Sequence, residues 1–359
     1  MKKKIVIDAS NIKSTGGIVH LNGILKNYKN RECNNILILI NQKAFKQLEL
    51  DKFSIKPKFY FNKAFEKNFL VSFIWQICFL DYFLKKNKCT HFVSLNGYAF
   101  TNFKKTVLFS QNALPFLLKK RGFILDNKIK LFFQKIFHTH CIKKFKNVIY
   151  VSKFQKKIVS RKLKYKAVRS EVIYHGVNQK IKYRNHIKKK IINFLYVSQM
   201  ISYKNQNKLF EVFKLFERKS IKFTLNCYGQ NLTNEQIKSR NIKIFKSFKN
   251  DNIDKIYSKY DAFIFPSLTE SFGLPLVEAA RSGLPICSSD IEVFKELLNK
   301  KDLILFDPRN KKDIFNKIFY LTQLNKKKLK LMTKSNYKNS IKYNWKQSSK
   351  RFFNFVLKT

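Results

Sequence analysis

The sequence predicts an α/β protein of two domains, each a succession of strand–helix–strand units. Three observations predict it. The chain has 359 residues, enough for two domains of ordinary size. Short apolar runs of strand length alternate with segments of helical periodicity throughout. One stretch, Phe263 to Cys287 (FIFPSLTESFGLPLVEAARSGLPIC), spells out a complete unit.

In that unit the apolar run Ala262 to Phe265 suits a buried strand, and Pro266 to Glu270 make a polar turn. A helix follows from about Pro275 to Ser282. Proline fits a first helical turn, where its missing N–H costs nothing. Gly283 fits the left-handed position after the helix, and Pro285 stops any continuation before Ile286 and Cys287 open the next strand. The chemistry lies in the loop. Backbone N–H groups of Phe272, Gly273 and Leu274 open a helix N-terminus, an anion site, and Gly273 admits close approach of the backbone to a ligand. Glu270 falls at the carboxyl end of the strand, where open α/β sheets bind ligands. Glu278 falls in the first helical turn, where the helix dipole favours its charge. Carboxylates repel phosphate, so both read as acceptors for hydroxyls. An anion cradle between two hydroxyl acceptors describes a nucleotide-sugar site. The structural alternative is a capped helix with one surface Glu and one Glu paired with the dipole.

In chain order, Ile5 to Ile7 is a strand, followed by a loop ending in Gly16-Gly17 and a helix from Ile18 to Tyr28. Asn35 to Ile40 is the second strand. The helix Phe69 to Lys85 is apolar but interrupted by Gln76 and Asp81, which makes it a core helix rather than a membrane span. His91 to Leu95 and Thr106 to Phe109 are strands; the latter runs into Gln111 and Asn112, and Asn112 could simply cap a helix. Phe133 to Lys143 is a helix, Asn147 to Ser152 a strand, and Glu171 to Tyr174 the last strand of the first domain. The turn His175 to Asn178 and a basic linker, Gln179 to Lys190, follow. The second domain opens with strand Asn193 to Ser198, loop Gln199 to Asn205 and helix Gln206 to Arg218, whose Leu209, Phe210, Phe213 and Phe216 share one face. Lys204, between a strand end and a helix start, has the register of a phosphate-contacting cation. Strand Phe223 to Tyr228 ends at Gly229; strand Ile242 to Phe245 and helix Asn252 to Tyr260 lead into the central unit. Beyond it come helix Glu292 to Leu298, edge strand Leu303 to Phe306, and helices Lys311 to Leu321, Lys326 to Lys342 and Asn344 to Phe355.

The segment from Glu270 to Glu278, with Pro266-Ser267 before it and Gly283-Leu-Pro285 after it, resembles the E-x7-E signature of family 4 glycosyltransferases. These are retaining enzymes with the GT-B fold. The run Gln111-Asn112-Ala-Leu-Pro115-Phe116 is similar to that of members acting on bacterial surface polysaccharides such as O-antigen or capsule. The resemblance spans the chain and is sharpest from Phe194 to Pro308. It implies two Rossmann-like domains facing a central cleft: an acceptor-side domain, 1–178, and a nucleotide-sugar domain, 179–343. The last helix, 344–359, then packs back on the first domain, with Trp345 at the crossing. It implies Glu270 on the sugar hydroxyls, Glu278 on the ribose, and Ser271, Phe272, Gly273 and Leu274 against the phosphates with Lys204. Gly16 and Gly17 would lie against the donor diphosphate, and Gly229 near the nucleotide. Glu270 and Lys204 are the catalytic pair it implies. The sequence departs from the family at Gln199, where Arg is usual, at Gln111 and Asn112 on the acceptor side, where His is usual, and at His175, where Asn is usual.

Charge limits the partners. Lys and Arg number 74 against 22 Asp and Glu, a net charge of +52, which attracts anionic surfaces and phosphorylated substrates. Between Lys119 and Arg169 there are 17 basic residues and one acid, Asp126. That stretch could face an anionic membrane carrying a lipid-linked glycan acceptor; dispersed compositional bias is the plain alternative. Nucleic acid is a weaker partner, since the basic residues follow no nucleic-acid motif. Cys33, Cys78, Cys89, Cys141, Cys227 and Cys287 lack C-x-x-C spacing and read as buried free thiols of a reducing compartment. No signal peptide is visible. The expected location is cytoplasmic, with possible attachment to the inner membrane face. No D-x-D motif occurs, so no metal and no cofactor are expected. The sequence also admits two rival readings, a basic nucleic-acid-binding protein and a transferase-like subunit without catalysis.

Overall fold

The computed structural model describes residues 3–12, 15–29, 35–67, 69–117, 128–164, 168–184, 190–229, 239–245 and 253–359. It divides into two units. Among the described residues, one holds 3–117, 128–176 and 344–359, the other 177–184, 190–229, 239–245 and 253–343.

The first unit is built on seven strands: β1 (Lys4–Ala9), β2 (Asn35–Ile40), β3 (Lys58–Tyr60), β4 (His91–Ser94), β5 (Thr106–Ser110), β6 (Asn147–Tyr150) and β7 (Arg169–Val172). They pair in parallel in the order β3-β2-β1-β4-β5-β6-β7. Parallel strands are covered on both faces, so their side chains are uniformly apolar rather than alternating; Ile5, Val6 and Ile7 are all fully buried. β3 went unread in the sequence because it is a three-residue edge strand, Lys-Phe-Tyr, with none of its residues fully buried. β7 lies two residues earlier than expected. One face of the sheet carries helices Phe69–Lys86 and Lys128–Phe145, whose Trp75, Leu80, Leu84, Ile142 and Phe145 join Val6, Leu39, Leu108 and Val148 in one core.

The final helix, Trp345–Leu357, belongs to this unit. Asn344 caps it, its Oδ1 accepting from the Lys346 amide at 2.8 Å. Ser349 Oγ donates to the Ile24 carbonyl at 2.7 Å, and Trp345 and Phe352 lie against His20. His175, which looked isolated in the sequence, is 3.2 Å from His20, Nδ1 to Nδ1. Burial holds His175 down to about 4 and His20 well below its usual range. Two neutral rings can share that contact, one donating and one accepting, so His175 is part of a packed aromatic cluster.

The second unit has six parallel strands: β8 (Asn193–Val197), β9 (Thr224–Tyr228), β10 (Ile242–Phe245), β11 (Ala262–Phe265), β12 (Ile286–Ser289) and β13 (Ile304–Phe306). Their order is β10-β9-β8-β11-β12-β13. The chain moves outward from β8 to β10, returns to pair β11 with β8, and moves outward the other way. That reversal opens a crevice at the carboxyl ends of β8 and β11, where open α/β sheets bind ligands.

Candidate functional site

The loops leaving β8 and β11 are stapled together above this crevice. Asn205, held at a left-handed φ of 60°, donates from Nδ2 to the carbonyls of Pro266 at 3.1 Å and Pro308 at 2.7 Å. The Leu268 amide donates to the Tyr203 carbonyl at 2.9 Å. These bonds fix Lys204 and Glu270, 66 positions apart in sequence, so that Nζ lies 2.6 Å from Oε1. Ser267 Oγ, fully buried, donates to the same oxygen at 2.8 Å. The ammonium also lies over the Tyr203 and Phe265 rings, at 5.1 and 5.6 Å from their centroids. Burial pulls the Lys204 pKa down, and Glu270 and Tyr203 together more than offset it, so the group is held above its usual value. The pair is a fixed buried dipole, and an ammonium has three donors, so Lys204 can hold Glu270 and still reach an anion.

Helix Leu274–Ser282 begins directly after the loop. Its N-cap is Gly273 at φ +102°, with no side-chain cap. The first-turn amides of a helix have no acceptor within it, and a glycine cap supplies none, which leaves this end suited to an anionic ligand. The need for glycine here is therefore conformational, where the sequence suggested close ligand approach. Phe272 is buried with its ring edge-on to Tyr343, 5.6 Å between centroids, while Ser271 and Leu274 are half-buried. Glu278 lies in the second turn of this helix, not the first, because the helix starts at Leu274. It is 6 % exposed, and the Tyr257 hydroxyl donates to its Oε2 at 2.9 Å. Burial pushes its pKa up to about 7, and the Tyr257 hydrogen bond works the other way. Its environment is thus set by desolvation, where the sequence suggested a dipole-stabilised charge.

Gln199 is half-buried just beyond β8. Gly229 ends β9 beside it: a Cβ there would sit 2.0 Å from the Ser198 carbonyl oxygen. Gly229→Ala must therefore push the β8 and β9 ends apart. Overpacking of this kind is expected to cost about 1–3 kcal/mol, read as a lowered urea midpoint with an unchanged slope.

The remaining predicted residues are in the first unit and are engaged in its own structure. Gly16 and Gly17 lie in the first turn of helix Thr15–Lys26, where the sequence suggested a loop; Gly16 is exposed and Gly17 buried. Gln111 Nε2 donates to the Leu95 carbonyl at 3.0 Å. Asn112 Oδ1 accepts from the Leu114 amide at 3.0 Å, capping the turn Leu114–Leu117, so the capping alternative describes it. Cys78 is exposed, against the expectation of burial, whereas Cys141, Cys227 and Cys287 are buried free thiols. Cys33 and parts of the basic stretch, including Lys119 to Arg121 and Asp126, lie outside the described residues. Among the described residues, no group of three or more His, Cys, Asp or Glu is placed to hold a metal ion. Sequence reading passed over Ser267, Asn205 and Tyr257 as site residues. Ser267 had a local signal, a hydroxyl three residues before a carboxylate in one turn. Tyr257 had none, since its partner lies 21 residues ahead.

A parallel sheet with paired, buried charges at its switch point is built as a ligand-binding site. Residues 177–339, within the second unit, match the family Glycosyl transferases group 1. The O-antigen biosynthesis glycosyltransferase WclY of Escherichia coli is 34% identical over 70 residues, 20% of each chain. The matched stretches span about a fifth to a third of such curated relatives. WaaG, a glycosyltransferase of lipopolysaccharide biosynthesis, has a similar fold at TM-score 0.76 and 13% identity, covering 98% of this chain and 99% of WaaG. The Anabaena protein Alr3699/HepE, solved with UDP and glucose, aligns at TM-score 0.73 and 15% identity over 99% of this chain and 100% of its own. The two parallel-sheet α/β units are those of the GT-B fold.

Proposed function

We propose that the protein is a retaining glycosyltransferase that moves a hexose-type sugar from a nucleotide-sugar donor to a glycan or lipid-linked acceptor in bacterial surface-polysaccharide synthesis. The observation that carries this reading is the Lys204–Glu270 pair, 2.6 Å apart, beside an uncapped helix start in the group 1 segment. Glu270 takes the sugar hydroxyls and Glu278 the ribose. The Leu274–Ser282 helix start and Lys204 hold the diphosphate and stabilise the charge that develops on it as the sugar leaves. Gln199, with a neutral amide, adds a hydrogen bond but no second cation. The relatives named for O-antigen synthesis support the acceptor class.

Saturation-transfer NMR of the full chain with a panel of nucleotide sugars tests this. One donor is expected to bind, to be hydrolysed slowly without acceptor, and to bind about ten-fold more weakly to Glu278→Ala, the loss of one charge-assisted hydrogen bond. A folded protein that binds none of them would refute the site assignment.

A further inference from the structure

The first unit has a switch point of its own. The chain moves outward from β1 to β3, and β4 then returns to pair with the other side of β1. The carboxyl ends of β1 and β4 therefore open a crevice. Asp8, next to last in β1, is 1% exposed there. Each of its oxygens accepts two hydrogen bonds. Oδ1 takes the Ser10 amide at 3.0 Å and the Ser10 hydroxyl at 2.6 Å. Oδ2 takes Gln76 Nε2 at 2.9 Å and Asn96 Nδ2 at 3.0 Å. Burial raises the Asp8 pKa, and the bonds from Ser10 and Asn96 oppose the rise. Helix Phe69–Lys86, a core helix by its sequence, is buried on one face only: Gln76 is 1% exposed, whereas Ile74 and Ile77 are more than half exposed. Gln76 Oε1 has no partner among the described residues, so Asp8 sets the direction of that amide even where its other end goes unpaired.

Asp8 sets the direction of Asn96 as well. A carboxylate only accepts, so the Asn96 amide turns its nitrogen inward and its Oδ1 outward. The Asn96 backbone is tied down too: its carbonyl is 3.0 Å from His138 Nε2 and its amide 3.3 Å from Ser94 Oγ. Gly97 follows at φ +81°, where a Cβ would sit 2.5 Å from His138 Nε2, a bend that only glycine suits. Gln111, one residue beyond β5, is turned by the same logic. Its Nε2 donates to the Leu95 carbonyl, which only accepts, and this directs its Oε1 away. Leu95 joins the group, its own amide donating to the Asp8 carbonyl at 3.0 Å. Asn96 and Gln111 are half-buried, and among the described residues neither Asn96 Oδ1 nor Gln111 Oε1 is a buried atom or has a partner.

Two outward oxygens on neighbouring strand ends take hydrogen-bond donors. They repel carboxylates and phosphates, the more so with a carboxylate behind them. A cation is opposed by the net charge of +52. Hydroxyls are neutral donors, and a sugar carries several. We propose that Asn96, with Asp8 as its positioning residue, and Gln111 bind hydroxyls of an uncharged sugar of the acceptor and exclude an acidic sugar there, an inference that rests on the proposed transferase activity.

Saturation-transfer NMR of the full chain with the methyl glycosides of glucose, galactose, mannose and N-acetylglucosamine tests it. At least one is expected to bind. Asn96→Ala and Gln111→Ala are each expected to weaken that glycoside about five-fold, the worth of one neutral hydrogen bond, with nucleotide-sugar binding unchanged. Asp8→Asn keeps the shape and puts a donor where Oδ2 accepts, so the Asn96 amide turns over and presents N–H outward. Methyl glucuronide is expected not to displace the glycoside from the wild type, and to displace it from Asp8→Asn at least about ten-fold more readily. A merely structural Asp8 would lower stability without that reversal. Circular dichroism checks the fold, and if Asp8→Asn does not fold, the two alanine variants decide. A wild type that binds a nucleotide sugar and none of the glycosides would overturn this proposal and leave the transferase activity standing. Wild-type glycoside affinity in both alanine variants would also overturn it, and an unaltered preference in folded Asp8→Asn would remove Asp8 from the role. Glycoside binding through Asn96 with no nucleotide sugar bound would uphold the sugar site and refute the transferase activity.

Discussion

Glu270→Ala is expected to lower turnover by about a hundred- to a thousand-fold and to destabilise the protein at the same time. The alanine leaves Lys204, 13% exposed, without its counter-charge in a site closed by Phe265 and Tyr203. Breaking one partner of a buried pair costs about 3–5 kcal/mol, because an uncompensated charge remains. Loss of a preorganised electrostatic group lowers kcat by about a hundred- to a thousand-fold. The two effects separate in the double variant Lys204→Met/Glu270→Leu. It removes both charges and fills the space, so its stability should return to within about 1–2 kcal/mol of wild type while turnover stays low. Urea unfolding and donor turnover on the three proteins are the measurements. Wild-type stability in Glu270→Ala would show that the pair is solvated, and activity in the double variant would remove both residues from the chemistry.

Donor affinity is expected to rise with pH through about 7, the value to which burial raises Glu278. The sign follows from which form accepts a hydroxyl more strongly. The ionised carboxylate makes a charge-assisted hydrogen bond, roughly twice as strong as a neutral one, so deprotonation should tighten binding by up to about ten-fold. Folding runs the opposite way. A carboxyl whose folded pKa is about 7 instead of 4.5 adds stability that is complete below the unfolded value and lost as pH rises through the folded one. The full span is up to about 3 kcal/mol. Part of the stability surrendered near neutrality is thus the condition for holding a charged acceptor in a dry site. Calorimetric titration of the donor across this range tests the claim. Glu278→Gln should flatten the profile. Tyr257→Phe, which removes the one hydrogen bond lowering this pKa, should move the midpoint upward. A wild-type profile as flat as that of Glu278→Gln would refute the role of Glu278.

What the sequence reveals and what it hides follow from how far apart interacting residues lie. Helix Gln206–Arg218 was readable to the residue because its buried Leu209, Phe210, Phe213 and Phe216 repeat at helical spacing within one segment. The helix stop at Gly283 was readable because the left-handed φ of 86° is a local demand on one residue. The same locality misled where context decides. Gly16 and Gly17 read as loop but sit in a helical turn, since packing overrides glycine's weak preference. The helix Phe69–Lys86 read as core because composition reports how apolar a segment is, not whether a neighbour covers it. The α/β class, the E-x7-E segment and the family resemblance were in the sequence, because each is carried by consecutive residues. The pairing of Lys204 with Glu270, the burial of Glu278 and its hydrogen bond from Tyr257, the His20–His175 contact and the exposed helix faces were decided only by tertiary structure. Each joins residues from separate elements, and strand order, with β11 inserted beside β8, is what brings the first pair to one point.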